Sequence, residues 1–587
     1  MTALSRESDL NWPTILFILI LLVIVLIPSS NLAEAQSTKA RTDLSVNPEN
    51  IIFSDDSPKE GESITITIVI ENNGETDLNN ILVSVMIDDK VLAHEIIEFL
   101  RSKDSSEMKL NWSAEEGRHT VKVFIDPNNE IEEVDELNNH ASKSIDVEKR
   151  LDFRIIFVAG TIFVIAYVII VTERIHRAVV AMGGAIVMLF AGIYLGFFNQ
   201  HEAFNSIDFN TLGLLLGMMI IVGVLMETGF FEYIAIKTFK KAKGRMWEIM
   251  LLFSVVTAIL SASLDNVTTV LLIAPVTISL AVAMKVNPVP FLIAEILASN
   301  IGGAATLVGD PPNIMIGSQA HITFNEFIIY LAPIVIIVFL VSLLMVEVIF
   351  RKELRVKVEN IDKIMAMDER KEIKHRSLLR KSLFVLGFTI TLFVFHDTLG
   401  LEPSIVALTG ASLLLLISLL HPDVALRRVE WSTLVFFAGL FVIVGGIEHA
   451  GIIELLAEGA LALTGGNLIL ALLVIIWVAA LASAIVDNIP FTAAMIPLIF
   501  TLEKSFELGD FAINPMWWAL ALGACLGGNG TLIGASANVV VAGISERQGH
   551  PISFIEFTKI GMVVMAVTVT IATVLMILFT MFIWPLF

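Results

Sequence analysis

Two periodicities divide the chain. Between residues 41 and 148 polarity changes at every second position. Ile64 to Ile70 alternates and stops at Asn72-Asn73-Gly74, Ile81 to Ile87 stops at Asp88-Asp89, and Thr120 to Ile125 stops at Asp126-Pro127-Asn128-Asn129. A period of two bounded by turn residues predicts strands, and about seven short strands suit a β-sandwich. From residue 151 onward the pattern becomes a succession of apolar blocks of membrane-crossing length.

Blocks 153 to 171, 178 to 198 and 211 to 230 each suffice for one crossing. Counted from an external head, they leave Arg174 and Arg177 inside, the Lys-free loop 199 to 210 outside, and Lys237, Lys240, Lys241, Lys243 and Arg245 inside, as the positive-inside bias requires. Residues 246 to 284 are long enough for two crossings and are broken at Ser261 to Asn266, so they read as a re-entrant hairpin that enters and leaves on the cytoplasmic side. Residues 290 to 318 then cross outward and 326 to 350 return, which places the connector 351 to 381, with 11 Lys and Arg against 6 Asp and Glu, in the cytoplasm. Arg6, an apolar run from Thr14 to Ile27 and Ala33-Glu34-Ala35 read as an export signal cleaved after Ala35, with an uncleaved anchor as the alternative. The expected organisation is a signal or anchor at 1–35, an extracellular head at 36–150, a membrane repeat at 151–350, a basic connector at 351–381 and a second repeat at 382–587.

The second repeat is visible as self-similarity. IDFNTLGLLLGMMIIVGVLMETGFFE and VEWSTLVFFAGLFVIVGGIEHAGIIE align without gaps, pairing Thr211 with Thr433, Gly217 with Gly439, Gly223 with Gly445 and Gly229 with Gly451. The same register carries Asp265-Asn266 onto Asp487-Asn488 and Pro275 onto Pro497; three residues further on, Gly302-Gly303, Thr306-Leu307, Gly309 and Asn313 fall on Gly527-Gly528, Thr531-Leu532, Gly534 and Asn538. Crossing parity makes the two repeats point opposite ways. The expected fold is therefore an all-α polytopic membrane transporter of two inverted repeats, each with a re-entrant hairpin and a broken helix, preceded by an all-β sandwich.

Composition agrees and narrows the function. With 56% hydrophobic and 17% charged residues, the 587-residue chain is neither an ordinary soluble enzyme, which has about 25% charged residues, nor disordered. Residues 36 to 150 hold 12 Lys and Arg against 25 Asp and Glu, −13 of the net −21, which argues against nucleic acid and anionic lipid as partners. A single Cys excludes a disulfide framework and a thiolate metal cluster. The chain shows no HExxH, GxSxG or Walker pattern, so neither an enzyme nor a cofactor is expected. The Asp126 to Asn139 cluster has oxygen donors for Ca²⁺ but reads more simply as a solvated acidic turn.

An ionised Asp at the midplane costs about 3 kcal/mol, so Asp265, Asp310 and Asp487 point to cation or proton binding, with a transported Na⁺ at Asp265 and Asp487 as the metal candidate. The alternative is a carboxylate that caps a half-helix. Asp310 has Ala535, not an acid, as its counterpart, and Asp-Pro-Pro also reads as a turn. Asn266, Asn300, Asn313, Asn488, Asn529 and Asn538, with Thr268, Thr306, Thr492 and Thr531, offer neutral oxygens and amides for an ion shell, or else hydrogen bonds between helices. Glu295, Glu347, Glu448 and His449 read as buried pairs or interface residues.

The strings GRMWEIMLLFSVVTAILSASLDNVTTVLLIAPVTI, ASNIGGAATLVGDPPNIMIGS, AIVDNIPFTAAMIPL and GGNGTLIGASANVV resemble the ion transporter superfamily, closest to its P protein, arsenite permease and sodium/proton antiporter branch with a citrate-transporter-like domain, across 151 to 587. GESITITIVIENNG, WSAEEGRHTVKVFID and NEIEEVDELNNHAS resemble the extracellular CARDB modules across the head, which implies that its all-β sandwich is immunoglobulin-like. The resemblance implies an elevator-like secondary transporter in the plasma membrane, often a homodimer, that moves a small inorganic ion with H⁺ or Na⁺. Cation/proton antiport is the first reading; an arsenite, anion, citrate or dicarboxylate permease is the second. The paired Ser-Asn-Thr signatures of dicarboxylate symporters are broken here, with Thr306 displaced from Ser299-Asn300 and Cys525 in the Asn position. An extracellular receptor whose sandwich binds an unknown partner above a transporter-like anchor is the reading of another class.

Overall fold

The computed structural model describes residues 42–115, 117–147, 152–172, 174–355, 365–506 and 513–583. The export signal and the chain end at Phe587 lie outside these residues, as does part of the connector. Two compact units, Met1–Arg150 and Leu151–Phe587, are described in turn.

The first unit holds β1 Leu44–Ser45, β2 Ile51–Phe53, β3 Ser63–Asn72, β4 Leu78–Ile87, β5 Lys90–Leu100, β6 Ser105–Ser113, β7 Gly117–Ile125 and β8 His140–Val147. One antiparallel sheet has β3 between β6 and the short strands β1 and β2; the other runs β5-β4-β7-β8. Alternation decides which side chains go inside. Ile64, Ile66, Ile68 and Ile70 of β3, Ile81, Val83 and Val85 of β4 and Val121, Val123 and Ile125 of β7 are all buried, each contributing about 2 kcal/mol. β5 is mostly exposed along its length, so its alternation was too weak to mark it in the sequence. Asp126 accepts the Glu130 N–H (3.1 Å) and the Ile131 N–H (2.7 Å), which turns the acidic segment. Asn139 donates to Glu133 (2.9 Å), whose carboxyl is pushed up from its usual range by burial.

The second unit is helical. Its first half contains α1 Phe153–Thr172, α2 Arg177–Leu195, α3 Phe209–Met226, α4 Phe230–Lys241, α5 Met246–Ser263, α6 Asn266–Ala283, α7 Val289–Gly303, α8 Pro311–Gln319 and α9 Ala332–Ile349. The second half contains α10 Arg376–Phe395, α11 Pro403–Ser418, α12 Trp431–His449, α13 Ile452–Thr464, α14 Leu468–Ile485, α15 Asn488–Ser505, α16 Pro515–Gly527, α17 Ser536–Arg547 and α18 Phe554–Phe582. Short helices Gln200–Asn205, Phe324–Tyr330 and Pro422–Leu426 join them. Among the described residues, ten helical stretches are long and apolar enough to cross a membrane.

Each helix thus has a counterpart nine labels later, and the packing repeats with them. α5 packs on α7 as α14 packs on α16, while the halves exchange partners, α2 with α12, α11 with α3, α6 with α17 and α8 with α15. Pro275 and Pro497 sit inside α6 and α15, where each removes a helical hydrogen bond at the same place. Gly229 and Gly451, at φ 77° and 82°, start α4 and α13 in the left-handed conformation that glycine tolerates. The stretch from 290 to 318, expected to hold a broken helix, is two helices, α7 and α8: the chain turns through Ala304 to Asp310, and Pro311 and Pro312 open α8.

Candidate functional site

Four helix breaks meet in the second unit: the Asp265 tip between α5 and α6 (the first break), its repeat at Asp487 between α14 and α15 (the second break), and the loops between α7 and α8 and between α16 and α17. Their backbones are held by the same bonds twice. Gly302 lies against α5 so closely that a Cβ there would come within 2.4 Å of the Ala258 carbonyl oxygen; at Gly527 it would come within 2.5 Å of that of Ala480. Only glycine permits either approach. Ser261 donates to the Ser299 carbonyl and Ser483 to that of Ala524, both at 2.7 Å. The Thr306 hydroxyl donates to the Ala262 carbonyl (2.6 Å), and the Thr531 hydroxyl to that of Ala484. Asn313 donates to the carbonyls of Gly303 (3.2 Å) and Thr306 (2.9 Å), and Asn538 to those of Gly528 (2.7 Å) and Thr531 (2.9 Å). These side chains bond carbonyls in and beside the breaks, where helical hydrogen bonding runs out; those of Ala524 and Thr531 accept a backbone N–H as well.

A chain of amides crosses between the halves. Asn266 donates to the Asn300 side-chain oxygen (3.3 Å), and Asn300 donates to those of Asn529 (3.1 Å) and Asn538 (3.0 Å). Cys525 stands 3.5 Å from the Asn313 side-chain oxygen. Asn488 donates to both oxygens of the fully buried Asp310, at 3.2 and 3.3 Å. Two polar atoms in this cluster, Asn266 Oδ1 and Asn529 Nδ2, are buried with no hydrogen-bond partner. Such atoms carry a desolvation cost of about 1–3 kcal/mol until something fills them.

The carboxylates differ in their surroundings. Asp265, 8% exposed, precedes α6 in an extended conformation and accepts the Thr268 N–H at 2.8 Å. Among the described residues it has no ion-pair partner. Asp487 precedes α15 and accepts the Ile489 N–H at 3.3 Å, but it also takes the Arg177 guanidinium at 3.2 Å and the Ser536 hydroxyl. Arg177 in turn contacts Ser536, reaches Thr433 Oγ1 (3.4 Å) and lies 5.3 Å over the Phe436 ring. Asp310 precedes α8 in an extended conformation, and its partner Asn488 is the residue after Asp487.

Of the residues expected at a site, Asn266, Asn300, Asn529 and Asn538 are joined by side-chain hydrogen bonds, as are Asp310 and Asn488, while Asp265 and Asp487 each cap the helix that follows them. Thr306, Thr531 and Asn313 face the loop carbonyls, and Thr492 donates to the Asn488 carbonyl of its own helix at 2.8 Å. Thr268 meets Asp265 through its backbone. Arg177 was not foreseen: as the first residue of a span it read as a positive-inside charge, and its partner is 310 residues away.

Comparison with known proteins agrees with this architecture. A family model described as citrate transporter matches residues 167–523, and one described as CARDB matches 41–143. An uncharacterized transporter of Mycobacterium tuberculosis is 48% identical over 421 residues, covering 71% of this chain and 97% of the relative. The P protein of Mus musculus is 37% identical over 494 residues, covering 70% of this chain and 59% of the relative. Among solved structures, the YdaH transporter of Alcanivorax borkumensis aligns with 70% of this chain at 14% identity and a TM-score of 0.49. The CARDB domain of a Pyrococcus furiosus protein, solved with di-metal ions, aligns with 19% of this chain at 22% identity and a TM-score of 0.18. With ten candidate spans, duplicated helix breaks and these matches over most of its length, the chain belongs to the citrate transporter family.

Proposed function

We propose that the membrane unit is a secondary active transporter of a small inorganic ion, coupled to H⁺ or Na⁺, with cation/proton antiport as its first reading. One observation carries this: the first break holds a buried carboxylate with no counter-cation among the described residues, in the residue before an amide oxygen that has no partner. Asp265 and Asn266 Oδ1 supply a charge and a neutral oxygen, the donors a dehydrated Na⁺ or a proton needs. Asp310, fully buried and held by Asn488, adds a second carboxyl to the cluster. The broken helices pack more on one another, α6 with α17 and α8 with α15, than on α3 and α12, which supports elevator-like movement of the breaks against the remaining helices.

A second reading, a citrate or other carboxylate carried with the cation, is favoured by Arg177 at the second break and by the name of the family. The plasma membrane, an extracellular head and a homodimer belong to the same proposal. Flux into proteoliposomes of the full chain under imposed gradients of Na⁺, H⁺, Cl⁻, arsenite and citrate tests it. The cation reading expects flux that follows Na⁺ or H⁺, and flux indifferent to both overturns it. Deleting residues 36–150 is expected to leave flux intact, whereas a receptor would lose its function.

A further inference from the structure

Glu295 lies in the middle of α7, 1% exposed, ~7.5 Å along the helix from Asn300. The Thr277 hydroxyl of α6 donates to one of its oxygens at 2.5 Å, and the other oxygen is buried with no hydrogen-bond partner. The helices packed against α7 are α5, α6, α9, α16 and α17. Their titratable groups are Glu248 on α5, which pairs with Arg245 at 2.7 Å, Glu347 on α9, Cys525 on α16, and Glu546 and Arg547 at the end of α17; α6 has none. Among the described residues none of these is hydrogen-bonded or ion-paired to Glu295.

The inverted repeat supplies an internal control. In the register that pairs Asn300 with Cys525, Glu295 falls on Leu520; in the register that pairs Pro275 with Pro497, Thr277 falls on Ile499. Leu520 and Ile499 are each 0% exposed, so the same pair of helices packs in the second half with hydrocarbon at both positions. The fold therefore does not require the carboxyl or its hydroxyl partner. A carboxylate at membrane depth costs several kcal/mol unless a proton or a cation neutralises it, and two apolar residues are known to the chain as a cheaper solution. Its retention in one half points to use.

We propose that Glu295 is a proton-binding site of the transport cycle, separate from the carboxylates at the helix breaks. The proton binds the unpartnered oxygen while Thr277 holds the other, and the carboxyl releases it when movement of the helices admits water. The proposal rests on the reading of the unit as an ion-coupled transporter, but its own evidence is the site at α7.

The test combines a spectroscopic and a transport readout on the full chain in lipid. Infrared difference spectra between about pH 5 and 9 are expected to show a carboxylic-acid C=O band that titrates and that Glu295→Gln removes. Proton-driven ²²Na⁺ flux should vary at least tenfold across that range in the wild type and less than twofold in Glu295→Gln. The double variant Glu295→Leu, Thr277→Ile, copied from the second half, should remain folded and monodisperse while losing the same band. A band that survives Glu295→Gln, or a Gln variant with wild-type pH dependence, overturns the proposal. Failure of Leu/Ile to fold would do the same, because it would make the pair structural. If Asp265→Asn leaves flux unchanged while Glu295→Gln removes both readouts, the ion site at the breaks falls and the proton site stands.

Discussion

At the first break Asp265 caps α6 with no cation beside it among the described residues, while at the second Asp487 caps α15 under the guanidinium of Arg177 and the hydroxyl of Ser536. The backbones around these two aspartates are nearly copies. Ser261 and Ser483, Thr306 and Thr531, and Asn313 and Asn538 make matching bonds to matching carbonyls. Duplication therefore fixed the scaffold twice and left the charge to diverge. A carboxylate already neutralised by a tethered cation is poorly placed to take a mobile one, whereas the unpaired one is poised for it. The proposed reading therefore puts the ion at the first break and gives Asp487 a holding role at the second.

The largest effect should come where the halves are most alike. Gly302→Val and Gly527→Val each drive a side chain into a backbone carbonyl that cannot withdraw, beyond the ~1–3 kcal/mol of ordinary overpacking. Both variants are expected to yield no monodisperse protein on size exclusion; a normal yield from either would show that the close helix contact is not shared by the two halves.

Arg177→Gln separates the breaks. It leaves Asp487 partly buried without its cation, which costs about 3 kcal/mol, whereas Asp265→Asn should cost little, since Asn caps nearly as well as Asp. Thermal unfolding of the purified variants checks the ranking. Adding Asp487→Asn to Arg177→Gln should recover most of the loss, and a double variant no more stable than the single one would remove the ion pair from the account.

The sequence revealed those parts of the site that are repeated in it. Asp265-Asn266 and Asp487-Asn488, Pro275 and Pro497, and the glycine pairs were visible because the halves align with a single three-residue shift. Arg177 was hidden for a physical reason: a cation at the start of a span is what the positive-inside bias leads one to expect, so only the fold could place it beside Asp487. The threonines were left open between an ion shell and hydrogen bonds between helices. Thr306 and Thr531 make the second kind, to carbonyls at the ends of α5 and α14, and Thr492 bonds a carbonyl of its own helix. In the head, β3 and β7 were legible from alternation, while the exposed β5 carries almost none.

A smaller effect sharpens the likeness of the two frames. Thr306→Val and Thr531→Val each delete one hydroxyl-to-carbonyl bond and should cost about 1 kcal/mol apiece, equal within error. Chemical denaturation of each in detergent measures this, and a cost confined to one half would mean that the paired bonds do unequal work.

The claim that the coupling ion sits at the first break is tested most directly by ²²Na⁺ and H⁺ flux through Asp265→Asn in proteoliposomes, with Asp487→Asn beside it. Asn keeps the shape and the cap but holds neither a proton nor a full charge. The account expects Asp265→Asn to be folded, normally expressed and without coupled flux, and Asp487→Asn to lose coupling as well because Arg177 is then left unpaired over the site. Wild-type flux in Asp265→Asn, with unchanged dependence on pH and Na⁺, would contradict it and return Asp265 to the role of a helix cap.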